Sequence, residues 1–297
     1  MTREKGRAEQ EMTSEALVSF AFPFFPFPFA LFIRGTMEAT PPVVTVRFNR
    51  FLPYWAVFQT DLRQTLRSWV YRLWVLMTVV AVAGLLLYRV GLHKEAGLFQ
   101  SAAAHSGDVF RMMVVGSLAL VVVLAVSAIS GERGTLADSV LSRGISRHQY
   151  FLAKWHSRLV VVTLTFAVLA FGVLLASYFL FKDDGQSDLS LAGGAVAVLA
   201  VGAVFAAIVS WGVTIGALTN TTVLGITVFW LMLYGSGFLL SLLPEPWPSP
   251  ERQLARLKFV LQGHYDPAAL TQVLTASVVL CVGASAVGLV GFGKRDV

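Results

Sequence analysis

Few residues in this chain are placed to do chemistry. The serine with the most suggestive neighbours is Ser236, which lies between Gly235 and Gly237 in an apolar run. In an intramembrane protease such a turn would present a nucleophile, and that nucleophile needs a base. The five histidines, His93, His105, His148, His156 and His264, all read as loop residues, at no spacing that would suit a metal. Ser236 therefore reads as a packing or bending position. The one cysteine, Cys281, excludes an intramolecular disulfide framework and reads as a small packing residue in an apolar block. No G-x-x-x-x-G-K-[ST] stretch occurs, so no P-loop is available to cradle nucleotide phosphates. The expectation is a chain with no catalytic residue, no cofactor site and no metal, and hence not itself an enzyme.

The polar segment with most structure to its sequence separates two apolar blocks. It runs Gly131-Glu132-Arg133-Gly134-Thr135-Leu136, through Val140-Leu141-Ser142-Arg143-Gly144-Ile145-Ser146-Arg147, to Lys154. Thr135 is placed to cap a short helix whose apolar side, Leu136, Val140 and Leu141, would dock on a partner. Arg143, Arg147 and Lys154 would then face solvent or lipid phosphate.

The elements that must carry this segment follow from composition. Hydrophobic residues make up 56% of the 297 and charged residues only 13%, whereas soluble domains carry about a quarter charged. The apolar residues gather into long uncharged blocks, and a bilayer crossing needs about 20 of them in a helix. The blocks are Leu73 to Tyr88, Met112 to Gly131, Leu159 to Phe181, Leu189 to Pro244 and Ala268 to Gly293. The fourth is too long for one crossing, and Thr219, Asn220, Thr221 and Thr222 divide it into two helices. Asp266 and Pro267 are placed as N-cap and first helical residue of the last. The fold class expected is all-α, a polytopic membrane protein of about six transmembrane helices. No block contains Asp, Glu, His, Lys or Arg, which disfavours a proton- or sodium-coupled carrier.

The net charge of +6 comes from Lys and Arg at the edges of the blocks, a membrane-anchoring pattern rather than a nucleic-acid surface. With both termini cytoplasmic, the larger share falls inside: Arg63, Arg67 and Arg72, then Arg133, Arg143, Arg147, Lys154 and Arg158, then Lys294 and Arg295. The expected location is the cell membrane, with the segments 89–111, 182–188 and 245–266 outside. Before the first block, Trp55, Phe58, Leu62, Leu66 and Trp69 recur every three or four residues, with Asp61, Arg63, Gln64 and Arg67 elsewhere on the turn. That pattern predicts an amphipathic helix in the membrane interface. Leu254, Leu257 and Leu261 form a similar short stripe expected to rest on the outer surface. Small residues at Gly202, Ala206, Ser210 and Thr214, with Gly212 and Gly216 beside them, allow close helix approach. Spacing leaves open whether they pack within one subunit or between two copies, and the former is favoured. Residues 1–50 stand apart, because Pro23, Pro26 and Pro28 break a Phe-rich run that otherwise resembles a helix. They read as an irregular extension, interfacial or upstream of a true start at Met37, while residues 51–297 form the six-helix domain.

The order Glu132, Gly134, Thr135, Leu136, Val140, Leu141, Ile145, Ser146, Arg147, Lys154 resembles the inner loop of ABC-2 type transporter permeases, in the group that includes copper-enzyme maturation permeases. Gly144 and Ala153 depart from that pattern, where the family has proline and glycine. The amphipathic helix with Asp61-Leu62-Arg63, and the closing Phe292-Gly293-Lys294-Arg295-Asp296-Val297, are also similar to family members. The resemblance covers roughly 53–297. It implies a permease subunit paired with a copy of itself or with a related chain, driven by a separate ATPase that binds ATP and Mg. The coupling residues it implies are Glu132, Gly134, Thr135, Leu136, Val140, Leu141, Arg147 and Lys154. The alternative reading is a membrane scaffold or assembly factor that uses the same loop without transport, and a secondary carrier is the third. The substrate is not legible in the sequence.

Overall fold

The computed structural model describes residues 51–96, 101–132, 145–180, 188–242 and 250–294, within one compact unit, Asn49–Val297. Among them the secondary structure is helical, without strands. In chain order the helices are α1 (Leu52–Arg67), α2 (Trp69–Ala96), α3 (Ala102–Ser130), α4 (Arg147–Leu180), α5 (Leu191–Leu218), α6 (Thr222–Leu242), α7 (Pro250–Leu261) and α8 (Pro267–Lys294). Six of them, α2 to α6 and α8, are long and apolar enough to cross a membrane. The expected all-α, six-span membrane architecture is therefore the one observed.

Local chemistry sets the helix starts. Ser101 Oγ accepts from the Ala104 amide, Ser190 Oγ from Gly193 and Ser68 Oγ from Tyr71, so each hydroxyl satisfies an amide that the helix cannot pair. Asp266 Oδ1 accepts from Ala268 just before α8, with Pro267 as its first residue, as expected. The break between α5 and α6 falls at residues 219–221, where the polar cluster predicts it.

The helices overrun the uncharged blocks. α3 begins at Ala102 rather than Met112 and takes in His105, Asp108 and Arg111; α4 begins at Arg147 and takes in His148, Lys154, His156 and Arg158. Reading His93, His105, His148 and His156 as loop residues is thus corrected, since α2, α3 and α4 contain them. A charge marks where a helix leaves the hydrocarbon, not where its hydrogen bonding stops. At 34 residues α4 is about 51 Å long against a hydrocarbon core of about 30 Å, so it is longer than the hydrocarbon it would cross.

Helix α5 is the axis of the bundle, packed on α3, α4, α8 and α6. Its Phe205, Val209, Val213 and Ala217 are fully buried, and its small residues bring neighbours close. A Cβ added at Gly216 would collide with the Val126 carbonyl oxygen of α3, and one at Gly212 would press on Ala125 and Phe229. Thr214 Oγ1 donates to the Ala284 carbonyl of α8 at 2.8 Å, and Trp155 Nε1 of α4 donates to Ser210 Oγ at 3.0 Å. Apart from Gly202, which faces open space, the ridge packs within the subunit. Helices α2 and α6 are peripheral: Leu231 is 76% exposed and Tyr234 70%, a surface that only lipid or another membrane protein can cover.

One end of the bundle is closed by α7. Its Leu257 and Leu261 are buried against α3 and α5, so this stripe packs on the bundle and the helix caps it. The cap ends in a Schellman turn: the His264 amide donates to the Phe259 carbonyl, the Gly263 amide to Val260, and Gly263 takes φ +87°, where a side chain would be strained. Asp188 fastens this end, accepting from the Ala103 amide at 2.9 Å and from Gln262 Nε2 at 2.7 Å. Burial alone would raise its pKa, but these bonds and one from Ser101 outweigh it and hold the carboxyl below its ordinary value.

Candidate functional site

At the other end, α1, α3 and α4 meet around buried charge. Helix α4 places Tyr150, Lys154, Ser157 and Arg158 on one face by their i, i+4, i+7, i+8 spacing. Helix α1 presents Asp61 to that face, and Glu132 stands just past the end of α3. Lys154 Nζ lies 2.6 Å from Asp61 Oδ1 and 2.6 Å from Glu132 Oε1, bridging both carboxylates. Arg158 Nη2 reaches Asp61 Oδ1 at 3.3 Å, and the Ser157 hydroxyl donates to Asp61 Oδ2. Tyr150 donates to Glu132 Oε2 at 2.8 Å, and its ring lies beside the Lys154 ammonium, 5.7 Å from centroid to Nζ. Asp61 is 1% exposed and Lys154 3%, so neither charge is solvated. Two anions and two cations balance, which is the condition under which such burial is tolerable.

The cluster extends to α8. Tyr150 stacks on Phe292, Phe151 packs on the same ring, and Arg147 Nη1 donates to the Gly293 carbonyl at 3.4 Å. A guanidinium at a helix C-terminus also meets the negative end of the helix dipole. Glu132, Lys154 and Arg147 from the loop are thus anchored among α1, α3, α4 and α8. Gly134, Thr135, Leu136, Val140 and Leu141 lie outside the described residues.

Two readings are corrected here. Lys154 does not face solvent or lipid phosphate: it is the centre of the cluster, because only there can its charge balance two carboxylates. Helix α1 turns its one acid inward, while Arg63, Gln64 and Arg67 of the same polar set stay exposed. Its protein face is centred on Asp61 and Thr65, whose hydroxyl donates to the Asp61 carbonyl at 2.7 Å. Trp55 and Leu66 are exposed, while Phe58 and Leu62 are half-buried along the margin. Asp61 was missed because its partners are more than ninety positions away in the chain. The available signal was that Asp61 is the lone acid of α1 while Lys154 and Arg158 are cations one helical turn apart.

The arrangement holds no metal-binding group of His, Cys, Asp or Glu among the described residues. It joins helices. The ionisable groups share helix α4 with the uncharged run Leu159 to Phe181 and precede it. Lys154 is 16 residues from Ala170 near the middle of the uncharged run, about 24 Å along the axis, beyond a hydrocarbon half-thickness of about 15 Å. A carrier's ion site would lie near the midplane. In comparison with known proteins, the chain matches no family model and no curated protein significantly.

Proposed function

We propose that this chain is the membrane subunit of an ABC-2 type transporter, coupled to a separate ATPase through the segment from Glu132 to Lys154 on the cytoplasmic side. The observation that carries the reading is the clasp at the base of that segment. Glu132 at its start is bonded to Lys154 at its end, and Lys154 is bonded to Asp61 of α1. A push on a loop with splayed ends would be absorbed by the loop. A push on a loop closed in this way is delivered to α1, α3 and α4 together. The order of residues in the loop supports the same reading, since it is the part most similar to the permeases. ATP and Mg would be held by the partner ATPase, and a second permease chain would complete the transporter.

The test is copurification of the cognate ATPase with wild-type protein and with the Leu136→Asp, Leu141→Asp double variant. Charge placed on a desolvated docking face costs several kcal/mol, so ATPase recovery should collapse while the permease stays in the membrane. Equal recovery with unchanged ATP hydrolysis would overturn the proposal. A scaffold would bind a partner through the loop without stimulating ATP hydrolysis, which the same preparation measures.

A further inference from the structure

Because Asp61 faces inward, the outer surface of α1 is left with one sign of charge. At about 100° per residue, Arg63 lies about 200° round the helix from Asp61, and Arg67 stands one turn further along the same side. Arg63, Arg67 and, in the first turn of α2, Arg72 are all exposed. Asp61 is the only acid on α1, and it is engaged with Lys154 and Arg158. Among the described residues no carboxylate pairs with the three arginines. Beside them on the exposed arc lie Trp55 at 55% exposure and Leu66 at 42%, and Trp69 follows at 75%.

Around its axis α1 therefore has three sectors: a buried polar one, an apolar one centred on Trp55 and Leu66, and a basic one. Such an order places a helix along the line where hydrocarbon meets headgroup, with indole rings at that level. The connection fixes the depth independently. Only Ser68 separates α1 from the span Trp69–Gly91, so α1 lies at the mouth of a crossing, and Arg72 is about 4.5 Å into it.

We propose that Arg63, Arg67 and Arg72 form a binding site for the headgroup of an anionic phospholipid, with Trp55, Leu66 and Trp69 against its acyl chains. A phosphodiester takes bidentate donors from guanidinium groups, which zwitterionic lipid offers only beside its own cation. The site depends on the helix lying at a bilayer and is independent of any ATPase.

The experiment uses the full chain in nanodiscs of equimolar phosphatidylcholine and phosphatidylglycerol, and native mass spectrometry counts the lipids retained by the released protein. Wild type should retain phosphatidylglycerol preferentially, with roughly fivefold of that preference lost per arginine removed. Arg63→Gln, Arg67→Gln, Arg72→Gln should therefore approach an unselective pattern. Arg111→Gln, an exposed arginine on α3, should not. Circular dichroism and gel filtration verify the fold of each variant, and the single variant Arg63→Gln serves if the triple one is unfolded. Equal retention of the two lipids by wild type, or unchanged selectivity in the folded variants, would overturn the proposal. So would a variant that keeps its lipid preference but loses a bound protein, which would make the arc a protein-docking face.

Discussion

At the scale of single residues, Lys154 is the position whose removal should be most costly. Lys154→Met would leave Asp61 and Glu132 facing each other in a buried site, with only Arg158 and neutral donors to compensate. Breaking a buried pair from one side typically costs about 3–5 kcal/mol. We expect a marked fall in the thermal unfolding temperature of the detergent-purified protein. Asp61→Asn with Lys154→Met should cost less than the two single changes added together, because neither partner is then left charged alone. Additive losses in that double-mutant cycle would mean the two groups are not coupled. This pairing was illegible in the sequence for a physical reason. Helical periodicity reports which residues share a face, not what that face meets, so an acid on an amphipathic helix reads as solvated until its distant partner is located. Glu132 and Lys154 were legible as members of one segment, yet nothing in their spacing shows that one ammonium bridges two carboxylates.

At the scale of elements, the six spans were legible because hydrocarbon imposes length and apolarity on each segment separately. The polar break before α6 and the Asp266-Pro267 start of α8 were legible for the same local reason. The placement of α7 was not, since Leu257 and Leu261 make the same stripe whether they meet lipid or the grooves of α3 and α5. Packing predicts a contrast along α5. Gly216→Val should be destabilising by about 1–3 kcal/mol or prevent folding, because the Val126 carbonyl blocks its Cβ. Gly202→Ala, on the open side, should be neutral or slightly stabilising through helix propensity. Thermal melts of both variants check this, and equal effects would put the Gly216 contact in error. The cap end should respond to acid. The folded pKa of Asp188 is depressed, so its contribution is complete above the ordinary carboxylate range and is lost as pH falls through the folded value. Unfolding temperatures between pH 7 and pH 3 should drop more steeply for wild type than for Asp188→Asn. Parallel curves would show that another group sets the acid sensitivity.

At the scale of the whole molecule, α3 runs from the cap to the clasp, so Asp188 and Glu132 lie at opposite ends of the bundle. In the proposed topology the clasp end is cytoplasmic. In a Cys281→Ala background, a cysteine at residue 187 should react with an impermeant thiol reagent added to intact cells. One at residue 143 should react only after the cells are opened. The reverse pattern would invert the protein and remove the loop from any cytoplasmic ATPase.

The length of α4 gives this molecule leverage. With Lys154 about 24 Å from the middle of the uncharged run, a rigid tilt of about 10° would swing it sideways by about 4 Å. An ion pair of 2.6 Å cannot stretch that far. Helix α1 must travel with the tip of α4 or let go of it, so a small rocking motion deep in the bilayer becomes a visible stroke at its surface. Paired spin labels on α1 and α4 would distinguish the two: constant separation means the helices sweep together, and a new longer distance means the clasp is a latch.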